Sequence, residues 1–131
     1  MENKGKINSM SPLTWAYIGD AIYELYIREH LIETTNLKPN RLHREAIKFV
    51  KASEQANALK QIQDMLTDEE KEIVRRGRNT QNHHLPKNAN LDDYTHATAF
   101  EALIGYLYLC KNETRLNKIL QKVIETKTSK V

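Results

Sequence analysis

Two stretches, Trp15-Ala16-Tyr17-Ile18-Gly19-Asp20-Ala21-Ile22-Tyr23 and Ala97-Thr98-Ala99-Phe100-Glu101-Ala102-Leu103-Ile104-Gly105, each set one acid inside an otherwise apolar run. Both runs read as helix. An ionised carboxylate is costly to remove from water unless something pairs with it. Each acid has a glycine nearby, Gly19 beside Asp20 and Gly105 one turn after Glu101. Glycine inside a helix costs about 1 kcal/mol relative to alanine, so it needs a packing reason. The reading that satisfies both costs is two helices in close approach, with two buried acids aimed at one spot. Two carboxylates about 4 Å apart repel by roughly 4 kcal/mol at an effective dielectric of about 20. A divalent cation between them reverses the sign, and the pair reads as a metal site.

Outward from these runs, the chain is helical throughout and forms one domain. Its 131 residues hold four glycines and three prolines, too few for a turn-rich fold. Ser11-Pro12 is a helix start, serine as cap and proline at the first helical position. That helix runs to about Leu31 with an apolar stripe through Ile18, Ile22, Leu25 and Ile32, and Ala16 and Ala21 permit close contact. Asn36 to Pro39 open a second segment, either one helix to about Met65 or two with a break near Ser53. Thr67 followed by Glu70 is a capping box for a short helix ending near Gly77. Residues 77–91 lose helical periodicity and read as a long loop, a length that in compact domains tends to be functional. Asp92-Asp93 suit the positive end of a helix running to about Lys111. Asn112-Glu113 open a final helix with Leu116, Ile119, Leu120, Val123 and Ile124 on one face. The expected boundaries are a flexible lead over 1–10 and an all-α domain over 11–131.

The start of the chain lacks the apolar core of a signal peptide, and no run approaches the 18 or so apolar residues that span a bilayer, so the expected location is the cytoplasm. One cysteine, Cys110, allows no internal disulfide and reads as a small core residue. The net charge of +3 is mild, so any preference for polyanions must come from clustering. One cluster exists. From Ile73 to Leu91 there is no acid, while Arg75, Arg76, Arg78, His83, His84 and Lys87 occur among asparagines and a glutamine. The helix at 38–51 adds Lys38, Arg41, Arg44, Lys48 and Lys51 against Glu45 alone. Basic runs are commonly no more than solvated surface, but beside a candidate metal site they point to a nucleic-acid backbone. Glu24 reads as the partner of Arg28 one turn on. His83-His84 lack further zinc-spaced ligands. His96 reads as a packed or hydrogen-bonded residue.

Leu13 to Ala21 is similar to the first signature of the ribonuclease III catalytic domain, and Tyr94 to Leu109 resembles the second. Order, spacing and helical content agree over nearly the whole chain, and the short length resembles the Mini-ribonuclease III branch, without a double-stranded-RNA-binding domain. The resemblance implies a homodimeric, magnesium-dependent endoribonuclease that cuts double-stranded RNA and matures the ends of 23S ribosomal RNA precursor. Each subunit would cut one strand by in-line attack of water, leaving 5′-phosphate and 3′-hydroxyl ends. A ribosomal protein is a further conceivable partner. Asp20 and Glu101 match the family's catalytic, metal-holding acids. Ala16 and Thr98 depart from it, standing where larger ribonuclease III enzymes have glutamate and aspartate, and they leave the metal count open. Two other readings stay open at this point. One is a non-catalytic RNA-binding or ribosome-associated dimer, favoured by Ala16 and Thr98. The other is a helical interaction module whose basic loop meets an acidic partner.

Overall fold

The computed structural model describes residues 3–80 and 90–128, and over them the chain is all helix, with no strand. The order is α1 (Lys4–Asn8), α2 (Pro12–Thr34), α3 (Pro39–Val50), α4 (Ala52–Ile62) with a 3-10 turn at Gln63–Met65, α5 (Asp68–Asn79), α6 (Leu91–Leu109) and α7 (Glu113–Thr128). Helix α6 is the hub, packed against α2, α4, α5 and α7. From Ala97 to Leu107 every residue is buried except Glu101, which is half-buried. A helix apolar on all sides belongs in an interior, and here Glu101 marks its one opening.

The local signals perform as their chemistry dictates. The Ser11 hydroxyl accepts from the Leu13 N–H at 3.2 Å. The Thr67 hydroxyl accepts from the Glu70 N–H, and the Glu70 carboxylate accepts from the Thr67 N–H, which closes the capping box. Glu70 then receives Arg115 of α7 at 2.8 Å through both Nε and a terminal nitrogen. Burial alone would raise the Glu70 pKa, but the Arg115 and Thr67 contacts together outweigh it and hold the carboxyl below its ordinary range. The α7 stripe of Leu116, Ile119, Leu120, Val123 and Ile124 is buried as its spacing predicts.

Three readings need correction, and one is decided between its alternatives. Residues 4–8 of the lead are helical, with Ile7 fully buried. Trp15 is also fully buried, so its indole N–H must find an acceptor. The Ile7 carbonyl supplies it at 2.9 Å, and Asn8 accepts from the Tyr106 hydroxyl. Ile7 of the lead is therefore part of the core. The buried face of α2 is Trp15, Ala16, Gly19, Tyr23, Ile27 and Leu31, whereas Leu25 and Ile32 are 54% and 64% exposed. This helix carries apolar residues on more than one side, so periodicity alone selects the wrong stripe. Of the two readings of the second segment, the one with a break near Ser53 holds: the break falls at Lys51, without a side-chain cap, and Ser53 lies inside α4. Cys110 is half-buried at the margin of the core.

The glycine reading holds with little room to spare. A Cβ added at Gly19 would sit 1.8 Å from the Glu101 carbonyl oxygen, and one at Gly105 would sit 1.8 Å from that of Trp15. Helices α2 and α6 thus meet backbone to backbone. Because the obstructing atoms are main chain, no rotamer change relieves them. Gly105→Ala should lower unfolding stability by about 3 kcal/mol or more, the upper part of the range for overpacking. Denaturant unfolding measures it, and a loss under about 1 kcal/mol would mean that the helices are not in backbone contact.

Candidate active site

The glycine contact also builds the site. The carbonyl facing Gly19 belongs to Glu101, so Asp20, the next residue of α2, emerges beside the Glu101 side chain. Their carboxyls lie within hydrogen-bond reach of each other. Both line a cleft of about 820 Å³ between α2, α6 and the α3–α4 corner. Asp20 is exposed rather than buried and stands at the rim, while Glu101 is half-buried below it. Burial, and then the neighbouring Asp20, push the Glu101 carboxyl up to about 8, against a weaker opposing effect of the Gln55 amide.

Sequence reasoning missed Gln55. It reaches the cleft from α4 and is 2% exposed. Its Nε2 donates to the Val50 carbonyl at 2.8 Å and to Glu101 Oε2 at 3.3 Å. In the sequence Gln55 is one of several polar residues between Ser53 and Asn57, with nothing local to single it out until its partners are known. Ala16 and Thr98 line the same cleft, and both are nearly buried. Among the described residues no cluster of three or more His, Cys, Asp or Glu is assembled. The donor set is therefore two carboxylates, with the Gln55 amide nitrogen holding one of them. Such a set fits a hard divalent cation such as magnesium, which uses one or two carboxylates and keeps several waters. An acid that is costly to ionise beside another acid is what such a cation would relieve.

The basic residues do not converge here. Arg75 is exposed and paired with Glu72, with Nε donating at 2.9 Å. The Arg76 guanidinium lies 4.6 Å above the Trp15 ring, a cation–π contact that makes it part of the packing. Arg78 is exposed. None of the three lines the cleft. His83, His84 and Lys87 lie outside the described residues. On α3, Lys48 pairs with Glu45 at 2.7 Å, while Arg41 and Arg44 are exposed. Glu24 pairs with Arg28 at 2.9 Å, as read. His96 Nδ1 contacts the Asp92 carbonyl at 2.8 Å and takes no part in the cleft.

With this geometry established, the comparisons with known proteins agree with it. The model of the ribonuclease III domain matches residues 13–112, which include both acids and Gln55. The chain belongs to the ribonuclease III family, a family of endoribonucleases. Its relatives include the Mini-ribonuclease 3 of Thermoanaerobacter sp. (strain X514), 48% identical over 93% of this chain and 86% of that one. The Mini-ribonuclease 3 of Staphylococcus aureus is 42% identical over 90% of each chain. A crystal structure of a Fusobacterium nucleatum protein superposes with a TM-score of 0.82 at 34% identity, covering 92% of this chain and 97% of that one. No helix among the described residues is long and apolar enough to cross a membrane.

The raised Glu101 pKa has a stability consequence of definite sign. A carboxyl whose folded value lies near 8, above its ordinary value of 4.5, favours the folded state most strongly at low pH. That contribution is complete below about 4.5 and disappears as pH rises through about 8. For EDTA-treated protein, the wild-type midpoint should fall over this window relative to Glu101→Gln, in thermal unfolding at several pH values. Parallel curves for the two proteins would contradict the assignment.

Proposed function

We propose that this chain is a magnesium-dependent endoribonuclease that cleaves double-stranded RNA as a homodimer, and that its cytoplasmic substrate is the 23S ribosomal RNA precursor. The observation that carries the reading is the convergence of Asp20 and Glu101 on one open cleft within a family of endoribonucleases. These two residues would hold the ion. When bound, magnesium supplies a Lewis acid that polarises the phosphodiester and lowers the pKa of water. Glu101, half-buried, presents its carboxylate from a rigid helix, and Asp20 at the rim meets the substrate side. Deprotonation of Glu101 is part of loading, so the ion should bind more tightly as pH rises toward about 8. Attack of water in line then leaves 5′-phosphate and 3′-hydroxyl ends.

The apolar margin of the cleft offers a surface for the dimer. Tyr17, 83% exposed, lies there with Leu13, Ile18 and Val50. Duplex RNA is recognised largely by shape and phosphate contacts, a role for exposed cations such as Arg41, Arg44 and Arg78 and for the basic segment that contains His83, His84 and Lys87. Presentation of the RNA by a ribosomal protein is compatible with this arrangement.

The test is cleavage of an end-labelled RNA duplex with magnesium and with EDTA. Wild type should cut only with the metal, and Asp20→Asn and Glu101→Gln should bind duplex but lose at least a hundredfold in rate. Binding by wild type without any cleavage would favour the non-catalytic RNA-binding dimer instead. A second measurement concerns the arginines. Arg75→Ala and Arg78→Ala should each reduce the slope of log affinity against log salt by about 0.7 to 0.9 if they contact phosphate. Arg76→Ala should lower the melting temperature instead, because it removes the cation above Trp15. An unchanged slope for Arg75 and Arg78 would take α5 out of the RNA interface.

A further inference from the structure

We propose that Gln55 is a positioning residue of the site, orienting the Glu101 carboxylate through Nε2 for the bound cation. The inference rests on the magnesium reading above and goes beyond it by adding a neutral third group to the two acids. Four observations support it. Gln55 is 98% removed from solvent yet lines the cleft that holds Asp20 and Glu101. Its Nε2 bridges the Val50 carbonyl and Glu101 Oε2, so one amide ties the end of α3 to the acid on α6. Val50 is the last residue of α3, where carbonyls have no partner within the helix. Its Oε1 is buried and makes no hydrogen bond.

The orientation of the amide follows from these partners. Turned the other way, its oxygen would face two acceptors, the Val50 carbonyl and the Glu101 carboxylate. The donor side is thus committed, and the acceptor side is left exposed to the full cost of burial. A buried acceptor without a partner costs about 1–3 kcal/mol. An apolar residue of the same length would avoid that cost, so packing alone does not account for glutamine here. Oε1 shares a planar group with an atom bonded to Glu101, which keeps it near the carboxylate. A neutral amide also suits the charge balance, since two carboxylates already neutralise one divalent ion. Ala16, Ala97 and Thr98, the other buried residues of this cleft, bring no acid to replace it.

Mn²⁺ is the probe, with binding to the full chain followed without RNA by the electron paramagnetic resonance signal of the free ion. Gln55→Met keeps length and removes both polar atoms. It should weaken Mn²⁺ binding by roughly tenfold or more, within the range seen when a ligand-orienting partner is lost. Its melting temperature without metal should stay level or rise, because the orphaned oxygen is gone. Gln55→Glu adds a third acid, so it should melt lower than wild type without metal and bind Mn²⁺ more tightly. If Gln55→Met folds poorly, the Gln55→Glu pair of measurements decides alone. Should wild type bind Mn²⁺ and lose it in Asp20→Asn, while both Gln55 variants bind like wild type, Gln55 serves packing only and the proposal is overturned. Should wild type show no Asp20-dependent binding, the magnesium reading itself fails and this inference falls with it.

Discussion

The structure depends on one contact, the crossing of α2 and α6 where Gly19 and Gly105 remove the side chains that would hold the backbones apart. Each glycine faces a carbonyl of the other helix, Glu101 for Gly19 and Trp15 for Gly105. Both acids sit within one residue or one turn of that crossing. Asp20 follows Gly19 directly, and Glu101 owns the carbonyl that the glycine meets. The fold and the site are thus one constraint. Separating the helices by the width of a methyl group would disturb both.

Around this crossing the remaining elements supply support. Trp15 is held by four different neighbours: the Ile7 carbonyl, the edge of Tyr106 at 5.2 Å, the guanidinium of Arg76 and the Gly105 segment of α6. Tyr23 meets Phe100 in an edge-to-face contact at 4.9 Å two turns below the Trp15 layer. At the far side, the Glu70–Arg115 pair ties α5 to α7, and Arg115 also donates to the Met65 carbonyl. Breaking one half of a buried pair of this kind leaves an uncompensated charge. These contacts fix α6 on all sides, which is why a half-buried acid in its middle can keep one orientation.

Much of this could be read from the chain because the signals are local or strongly constrained. The capping box at Thr67 and Glu70, the Ser11-Pro12 start and the α7 stripe all lie within a few residues of what they determine. The two glycines were legible for a different reason: an unfavourable residue in a helix demands a compensating contact. What escaped depends on partners far away in sequence. Helix α1 exists because a buried indole eight residues on needs an acceptor. The true face of α2 is invisible to periodicity, since both candidate stripes are apolar. Arg76 looks like part of a basic run until Trp15 lies beneath it. Gln55 looks like any helical polar residue until its amide is found against Glu101, 46 residues away.

The most direct measurement is anomalous diffraction from crystals of the protein grown or soaked with Mn²⁺. The account predicts a manganese peak between the carboxylates of Asp20 and Glu101, within about 2.0–2.6 Å of an oxygen from each. Ordered carboxylates that diverge, with manganese bound elsewhere on the surface, would contradict it.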